Sequence, residues 1–316
     1  MNIERVISKR FFVLGLPSLI LIVLATLPLY APRYTVILLT SILMYIVITV
    51  SWTMFSGPTG YISLASAAFF GVGIYTSAIL GKALPLPLVI GIGALASFCL
   101  AILVGAVTLR LKGIYFAIFT FGLSEFIRHF LLFWEIHITH TRGRLVILIN
   151  SATVYYVMLG IFVILLLTVF LIRRSRYGLA LQSIGQEEEA AAHTGVNVVM
   201  VKVITFGISA LFMGAAGAIM ATKWTYIDPY IAFNPIISFL PVLMAIFGGV
   251  GHLYGPVIGA AIFTYLEEFL ITRFPYYYML IFGIIMVAAI LYLPDGIVGR
   301  IQSIWKRISG RKHADT

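Results

Sequence analysis

Long apolar segments, most of them fifteen to twenty residues or more, follow one another along almost the whole chain of 316 residues. A helix rises 1.5 Å per residue, so about 20 apolar residues cross a hydrocarbon core of about 30 Å. Unpaired backbone groups are costly in lipid, so only helices and closed barrels span membranes, and the sequence lacks the alternating strands of a barrel. The sequence therefore predicts an all-α polytopic membrane protein with about ten transmembrane or partly re-entrant helices. The ten segments lie at about 11–31, 35–55, 63–81, 86–109, 114–134, 153–172, 201–221, 236–250, 255–271 and 276–294.

The composition agrees with this class and excludes a soluble one. Hydrophobic residues make up 61% of the chain and charged residues only 10%, whereas soluble domains carry about 25% charged residues. The third, eighth and ninth segments are short or rich in Gly, so they are candidates for re-entrant helices. We interpret the run from Phe11 to about Tyr30 as an uncleaved first span, because it is long enough to cross the bilayer.

The net charge of +10 is interpreted as a marker of topology, because Lys and Arg collect on the cytoplasmic side of membranes. Ten spans with a cytoplasmic N-terminus place 14 of the 21 Lys and Arg residues on that side. This model predicts that both termini and the segment 173–202 are cytoplasmic.

Two pairs of similar short segments suggest an internal repeat. SAAFFG at 66–71 resembles SALFMG at 209–214, and AIFTF at 117–121 resembles AIFTY at 261–265 at nearly the same offset. That offset equals four spans, an even number, so the two copies would run parallel, as in some transporters. The alternative is a shared use of small residues for helix packing.

The longest polar stretch, RRSRYGLALQSIGQEEEAAAHTGVN at 173–197, interrupts the apolar pattern. Gly178 is expected to break the preceding span, and the residues from Ala180 to His193 are mostly good helix formers that end near Gly195. One or two short cytoplasmic helices are predicted there. A solvated linker helix is the alternative, but connections in compact folds are usually only a few residues long.

Signatures of catalysis are missing from the sequence. No GxxxxGK[ST] phosphate loop, no His/Cys cluster with metal-ligand spacing and no Ser-His-Asp arrangement is present. We therefore predict no catalytic residue, no cofactor and no metal.

Several motifs resemble the permease subunits of the branched-chain amino acid ABC importer family, of the second, longer type. They are GYISLASAAFFGVGIYTSAIL (60–80), RLKGIYFAIFTFGLSEFIR (110–128), the polar loop, and YIDPYIAFNPIISFLPVLMAIFGGVGHLYGPVIGA (226–260). The segment EIHITHTRGRL departs from the Thr-Gly-Gly-rich turn usual in that family, which puts its contact with a binding protein in doubt.

The resemblance implies a single permease domain over 1–316 with a cytoplasmic coupling loop at 173–202. It implies as partners a second permease, two ATP-binding cassette subunits and a substrate-binding protein, in a prokaryotic inner membrane. The residues implied to couple to the ATPase are Gln186, Glu187, Glu188, Glu189, Ala190, Ala191 and Gly195.

Two further sets of residues are candidates for contact with cargo or partners. A broken helix could direct its N-terminal amides at a carboxylate, and the small residues of the third span suit such a path, although plain packing explains them equally. These residues are Gly60, Ser63, Ser66, Gly71 and Gly73. Glu125 and Arg128 lie three apart on the fifth span and could form an ion pair that anchors the helix end or contacts the second permease.

Function is therefore expected to be that of an ATP-driven importer permease for branched-chain or related apolar amino acids. A permease for urea or short amides is a close alternative. An ion-coupled secondary transporter would need ionisable groups at mid-span, and a membrane enzyme would need a reactive cluster; the sequence displays almost none of the former and none of the latter.

Overall fold

The computed structural model describes residues 21–111, 113–252, 254–292 and 296–300, and these form a helical bundle with one very small sheet. The predicted first span lies largely outside the described residues, as do the termini. The helices, in chain order, are α1 Arg33–Thr59, α2 Ser66–Leu80, α3 Leu86–Thr108, α4 Ile114–His137, α5 Ser151–Arg174, α6 Arg176–Gln186, α7 Glu188–His193, α8 Val198–Met220, α9 Pro229–Ala232, α10 Ile236–Gly248, α11 Gly255–Arg273 and α12 Tyr278–Tyr292. Two-residue strands, β1 Arg144–Leu145 and β2 Tyr226–Ile227, pair antiparallel.

Within the described residues, seven stretches are long and apolar enough to cross a membrane. They correspond to α1, α3, α4, α5, α8 with its following turn, α9 joined to α10, and α11. Two shorter apolar helices, Ser66–Leu80 and Tyr278–Ala288, account for two more of the predicted segments. The chain is thus a multi-pass helical membrane protein, while the number of full crossings stays a prediction.

Some boundaries differ from those expected. Helix α1 continues past the expected end at residue 55 to Thr59 with Pro58 in its last turn, and Gly60 ends it at φ 73°. The third predicted span begins only at Ser66, because residues 60–65 are not helical. The eighth begins earlier than expected, since Asp228 caps α9 by accepting the backbone N–H of Ile231.

The connections separate into two ends of the bundle. At one end of the bundle, the C-terminal turn of α1 contacts the segment 173–202, because the backbone of Gly185 lies directly against the carbonyl of Pro58. We call this the insert end. At the opposite end, called the hairpin end, β1 pairs with β2, and Tyr34 donates a hydrogen bond of 3.0 Å to Glu268. Connections expected on one side of the membrane therefore lie together.

Helix α8 lies at the centre of the bundle and packs along both α2 and α3. A Cβ on Gly73 of α2 would collide with the backbone of Gly214 on α8, so the two helices touch through their main chains. The segments SAAFFG and SALFMG lie on these two helices. The repeat that they suggest stays a prediction, but their small residues serve close packing here.

Candidate coupling site

The polar segment forms two short helices, as the sequence predicts, joined at one extended residue. Ser175 separates α5 from α6, and Glu187, at φ −157° and ψ 115°, separates α6 from α7. The expected break at Gly178 is wrong. Gly178 lies inside the first turn of α6, buried against the carbonyl of Ile172, where a side chain would not fit.

Helix α7 is short but has favourable ends. Glu188 and Glu189 occupy its first turn and His193 its last, which is the arrangement that the helix dipole favours. Gly195 follows at φ 86°, a conformation that side chains rarely adopt, and Asn197 caps α8 by accepting the N–H of Met200. The local sequence therefore determines both where α7 ends and where α8 begins.

Apolar side chains on the bundle-facing side of α6 and α7 fix these two helices to the bundle. Leu181 and Ile184 of α6 and Ala191 of α7 form a small buried cluster with Val198 and Val201 of α8. Together with the contact between Gly185 and Pro58, this cluster makes the segment a docked structure rather than a freely solvated linker. We call residues 176–195 the insert.

The residues predicted to couple fall into two groups once the insert is folded. Glu188 is partly buried and Ala191 is buried, so both face the bundle. The others point to solvent, and they are Gln186, Glu187, Glu189, Ala190 and Gly195. Two adjacent glutamates thus have opposite environments, because α7 turns about 100° per residue.

Beneath α7 lies a buried lysine that sequence reasoning used only as a marker of topology. Lys202 of α8 is 1% exposed, and its ammonium forms an ion pair with Glu188. It also donates to the Tyr61 hydroxyl at 3.2 Å and to the Leu109 carbonyl at 3.1 Å. We call these four groups, which are the side chains of Lys202, Glu188 and Tyr61 and the carbonyl of Leu109, the clasp. They come from four separate stretches of chain, so no sequence spacing predicts that they meet.

Tyr61 completes the clasp in a second way. Its hydroxyl donates a hydrogen bond of 2.8 Å to Glu188, and its ring lies 4.5 Å from the Lys202 ammonium. Burial, reinforced by the hydrogen bond to Glu188, raises the pKa of the Tyr61 hydroxyl well above its ordinary value. The tyrosine is therefore a neutral donor at physiological pH.

From Tyr61 the chain enters the bundle as a non-helical segment whose backbone is satisfied by side chains. Trp52 donates its indole N–H to the carbonyl of Ser63 at 2.7 Å, and the N–H of Leu64 donates to Thr120 of α4 at 3.0 Å. The N–H of Ala67, in the first turn of α2, donates to Ser238 at 3.3 Å. Such irregular backbone is tolerated at membrane depth only where protein or water covers it.

The five residues proposed for a path do not act as one set. Ser63 and Ser66 lie in the interior beside Trp52 and Ser56, and the hydroxyls of Ser56 and Ser66 are buried without a hydrogen-bond partner. Gly71 packs against the ring of Phe233 and Gly73 against Gly214, while Gly60 is exposed at the end of α1. Geometry thus brings together only the two serines.

Most of the chain is similar to one family of membrane proteins. Residues 34–290 match the model of a family described as "Branched-chain amino acid transport system / permease component". The chain belongs to this permease family. That result confirms the resemblance on which the sequence interpretation rests.

Individual relatives agree with the assignment. The chain is 25% identical to the high-affinity branched-chain amino acid transport system permease protein LivM of Salmonella typhimurium, covering 96% of this chain and 78% of that protein. It is 26% identical to LivM of Escherichia coli, covering 92% and 75%. The permease LivH of Salmonella typhimurium is 31% identical over a shorter region, 43% of this chain and 44% of LivH. No solved structure matches the chain.

In this permease, Glu125 and Arg128 form an ion pair within α4, but near the middle of that helix, so the predicted position at a helix end is wrong. The Arg128 guanidinium also lies over the ring of Tyr230, 5.2 Å from its centre. This pair connects α4 to α9 in the same chain. Among the described residues, no group of three or more His, Cys, Asp or Glu side chains is arranged to hold a metal ion.

A buried carboxylate at the hairpin end, Glu135, was not anticipated. Glu135 is 1% exposed; it accepts hydrogen bonds from the Tyr75 hydroxyl at 3.2 Å and from the N–H of Gly143 at 3.0 Å. The Nε atom of Arg144 lies 3.7 Å from it. The atypical segment 135–145 is thus fastened to α2 by its own glutamate.

Proposed function

We propose that this chain is the permease subunit of an ATP-driven importer for branched-chain or related apolar amino acids in a prokaryotic inner membrane. The family assignment and the relatives that carry this name support the cargo class. In this proposal a second permease supplies the other half of the path, two ATP-binding cassette subunits bind at the insert end, and a binding protein delivers cargo to the hairpin end.

The observation that carries the proposal is the division of the insert into two faces. Its apolar underside is buried in the bundle, whereas Gln186, Glu187, Glu189 and Ala190 form a solvent-facing surface. A polar helix that is rigidly docked on one side and unpaired on the other suits contact with a soluble partner. We therefore place ATPase docking on this exposed face, with Gly195 at its edge.

Cargo passage is assigned to the serines beneath the clasp. Ser63 belongs to the non-helical stretch before α2 and Ser66 is the first residue of α2, and the Ser66 hydroxyl is buried and unpartnered. Buried hydroxyls at such a break can donate hydrogen bonds to the carboxylate of an amino acid. Gly71 and Gly73 support this stretch by allowing α2 to approach its neighbours.

The docking proposal is tested by charge reversal on the exposed face. The variant E187K/E189K is compared with Lys82→Glu, an exposed residue near the hairpin end. We expect the former to reduce recovery of the ATPase subunit with the permease by at least about tenfold, or about 1.4 kcal/mol. Lys82→Glu should leave recovery unchanged. Equal recovery from both variants would contradict docking on this face.

Cargo class is tested with the same complex in proteoliposomes. Uptake of radiolabelled leucine that depends on ATP and on the binding protein is the expected result. Uptake of urea with no uptake of leucine would instead assign the permease to short amides.

A further inference from the structure

The clasp joins the insert to three parts of the bundle at one buried atom. We propose that Lys202 is a positioning residue through which movement of α7 at the ATPase is transmitted to α8, to the end of α3 and to the segment 60–65. This inference rests on the proposed function, because it requires that the insert is where the ATPase binds.

Every hydrogen-bonding group of the lysine is committed to this connection. An ammonium has three donors, and Lys202 directs them at Glu188 of α7, the Tyr61 hydroxyl and the Leu109 carbonyl. Burial makes the connection strict, since a charge that loses its partner in a dry environment is strongly destabilised. Displacement of α7 must therefore carry Tyr61 and Leu109 along with it.

Helix α6 is a second connection between the insert and the bundle. It contacts α1, α5 and α8, with Leu181 and Ile184 buried and Gly185 against Pro58. A cavity of about 210 Å³, bordered by Met54, Arg173 and Gln182, lies between α6, α1 and α5. The clasp differs from this apolar contact because it joins the insert by hydrogen bonds to Tyr61 and Leu109.

The segment that begins at Tyr61 continues from the clasp to Ser63 and Ser66 in the interior of the bundle. Tyr61 is two residues before Ser63, and the carbonyl of Ser63 is held by Trp52 while the N–H of Leu64 is held by Thr120. Because the chain is continuous from Tyr61 to Leu64, a shift of Tyr61 pulls on these two hydrogen bonds to α1 and α4. This gives the ATPase a mechanical connection to the stretch assigned to cargo passage.

The test uses the whole importer, reconstituted with its ATPase, second permease and binding protein. The variant K202M/E188Q removes both charges together, so that no unpaired ion is left to unfold the protein. We expect ATPase recovery within about twofold of the parent, and leucine transported per ATP hydrolysed lowered by at least about fivefold, the lower end of typical coupling effects. Lys223→Met, at the other end of the same helical stretch, should leave that ratio unchanged.

Two results would overturn the inference. The first is an unchanged ratio of transport to hydrolysis in K202M/E188Q. The second is loss of ATPase recovery in that variant, because the clasp would then only shape the docking face. If the double variant does not reach the membrane, the same ratio of transport to hydrolysis is measured in Tyr61→Phe, with Tyr177→Phe of α6 as its control. An unchanged ratio in Tyr61→Phe rejects the inference.

Failure of this inference and failure of the proposed function are distinguishable. If E187K/E189K retains full ATPase recovery, the docking face is wrong whatever the clasp does. If E187K/E189K loses recovery while K202M/E188Q remains fully coupled, docking stands and only transmission through Lys202 is rejected. Spin labels at the exposed positions 193 and 107 give an independent measure, since their distance distribution should broaden in K202M/E188Q.

Discussion

Glu188 and Lys202 form an ion pair across the junction of α7 and α8, with the lysine buried and the carboxylate partly exposed. The neighbouring Glu187 and Glu189 point to solvent. Three consecutive glutamates therefore divide into one that holds the insert in place and two that are available to a partner. Substituting Glu188 and Glu189 together would mix these two effects, so they are best tested separately.

Glu188→Ala should destabilise the permease strongly, because it leaves Lys202 buried without its counter-charge. We expect the free energy of unfolding to fall by about 3 kcal/mol, measured by denaturant unfolding in detergent with tryptophan fluorescence. Glu189→Ala, one residue away on the exposed side, should change it by less than about 0.5 kcal/mol. Equal effects from the two substitutions would show that the ion pair has no role in stability.

Gly73→Ala should disrupt the contact between α2 and α8, since the added Cβ would collide with the backbone of Gly214. Overpacking of this kind costs about 1–3 kcal/mol, which thermal unfolding in detergent can detect. Gly122→Ala is the matched control, because nothing lies within 4 Å of a Cβ at that helical position. There the better helix propensity of alanine should leave stability equal or slightly higher; a lower value in both variants would argue against a specific contact.

Glu135→Gln should loosen the segment that follows α4. The amide retains an acceptor but loses the charge beside Arg144, so bonds from Tyr75 and Gly143 weaken. Removing a charged partner from buried hydrogen bonds costs about 1–3 kcal/mol, and hydrogen exchange of residues 138–146 should accelerate accordingly. His137→Gln, an exposed change on the same helix, should not alter exchange there; equal acceleration would rule out the role of Glu135.

Tyr61 gives the clasp a specific response to alkaline pH. Its pKa is raised in the folded protein, chiefly by burial, so its contribution to stability is complete below the unfolded pKa of about 10 and is lost as pH rises further. Between about pH 9 and 11, the parent protein should therefore lose more stability than Tyr61→Phe does. Identical slopes for the parent and Tyr61→Phe would contradict the burial of this hydroxyl.

Several features of this permease follow from the sequence for local reasons. Apolar runs of sufficient length fix the membrane class and most helix positions, and the acidic turn followed by Gly195 predicts the helix of the insert. The errors are local too. Ser175 rather than Gly178 separates α5 from α6, because the glycine is needed inside the turn where α6 packs closely against α5.

The candidate site was predictable only in part. The insert was identified as a segment, yet its two faces depend on which side chains the bundle covers. Sequence reasoning placed Ser63 and Ser66 beside Gly71 and Gly73 as one path, whereas packing assigns the glycines to contacts with Phe233 and Gly214. Neither Lys202 nor Glu135 had a recognisable signal, because both are paired with residues from other elements.

The sequence by itself determined that this chain spans a membrane as helices, that it belongs to a permease family, and that a polar helical insert interrupts its middle. These properties depend on hydrophobicity, helix propensity and short motifs, all of which are set by residues close together in the chain. The tertiary structure alone decided that Lys202 meets Glu188, Tyr61 and Leu109, since the clasp exists only when four separate stretches of chain converge. Burial makes these contacts important for stability, because a charge removed from water needs its partners within the protein.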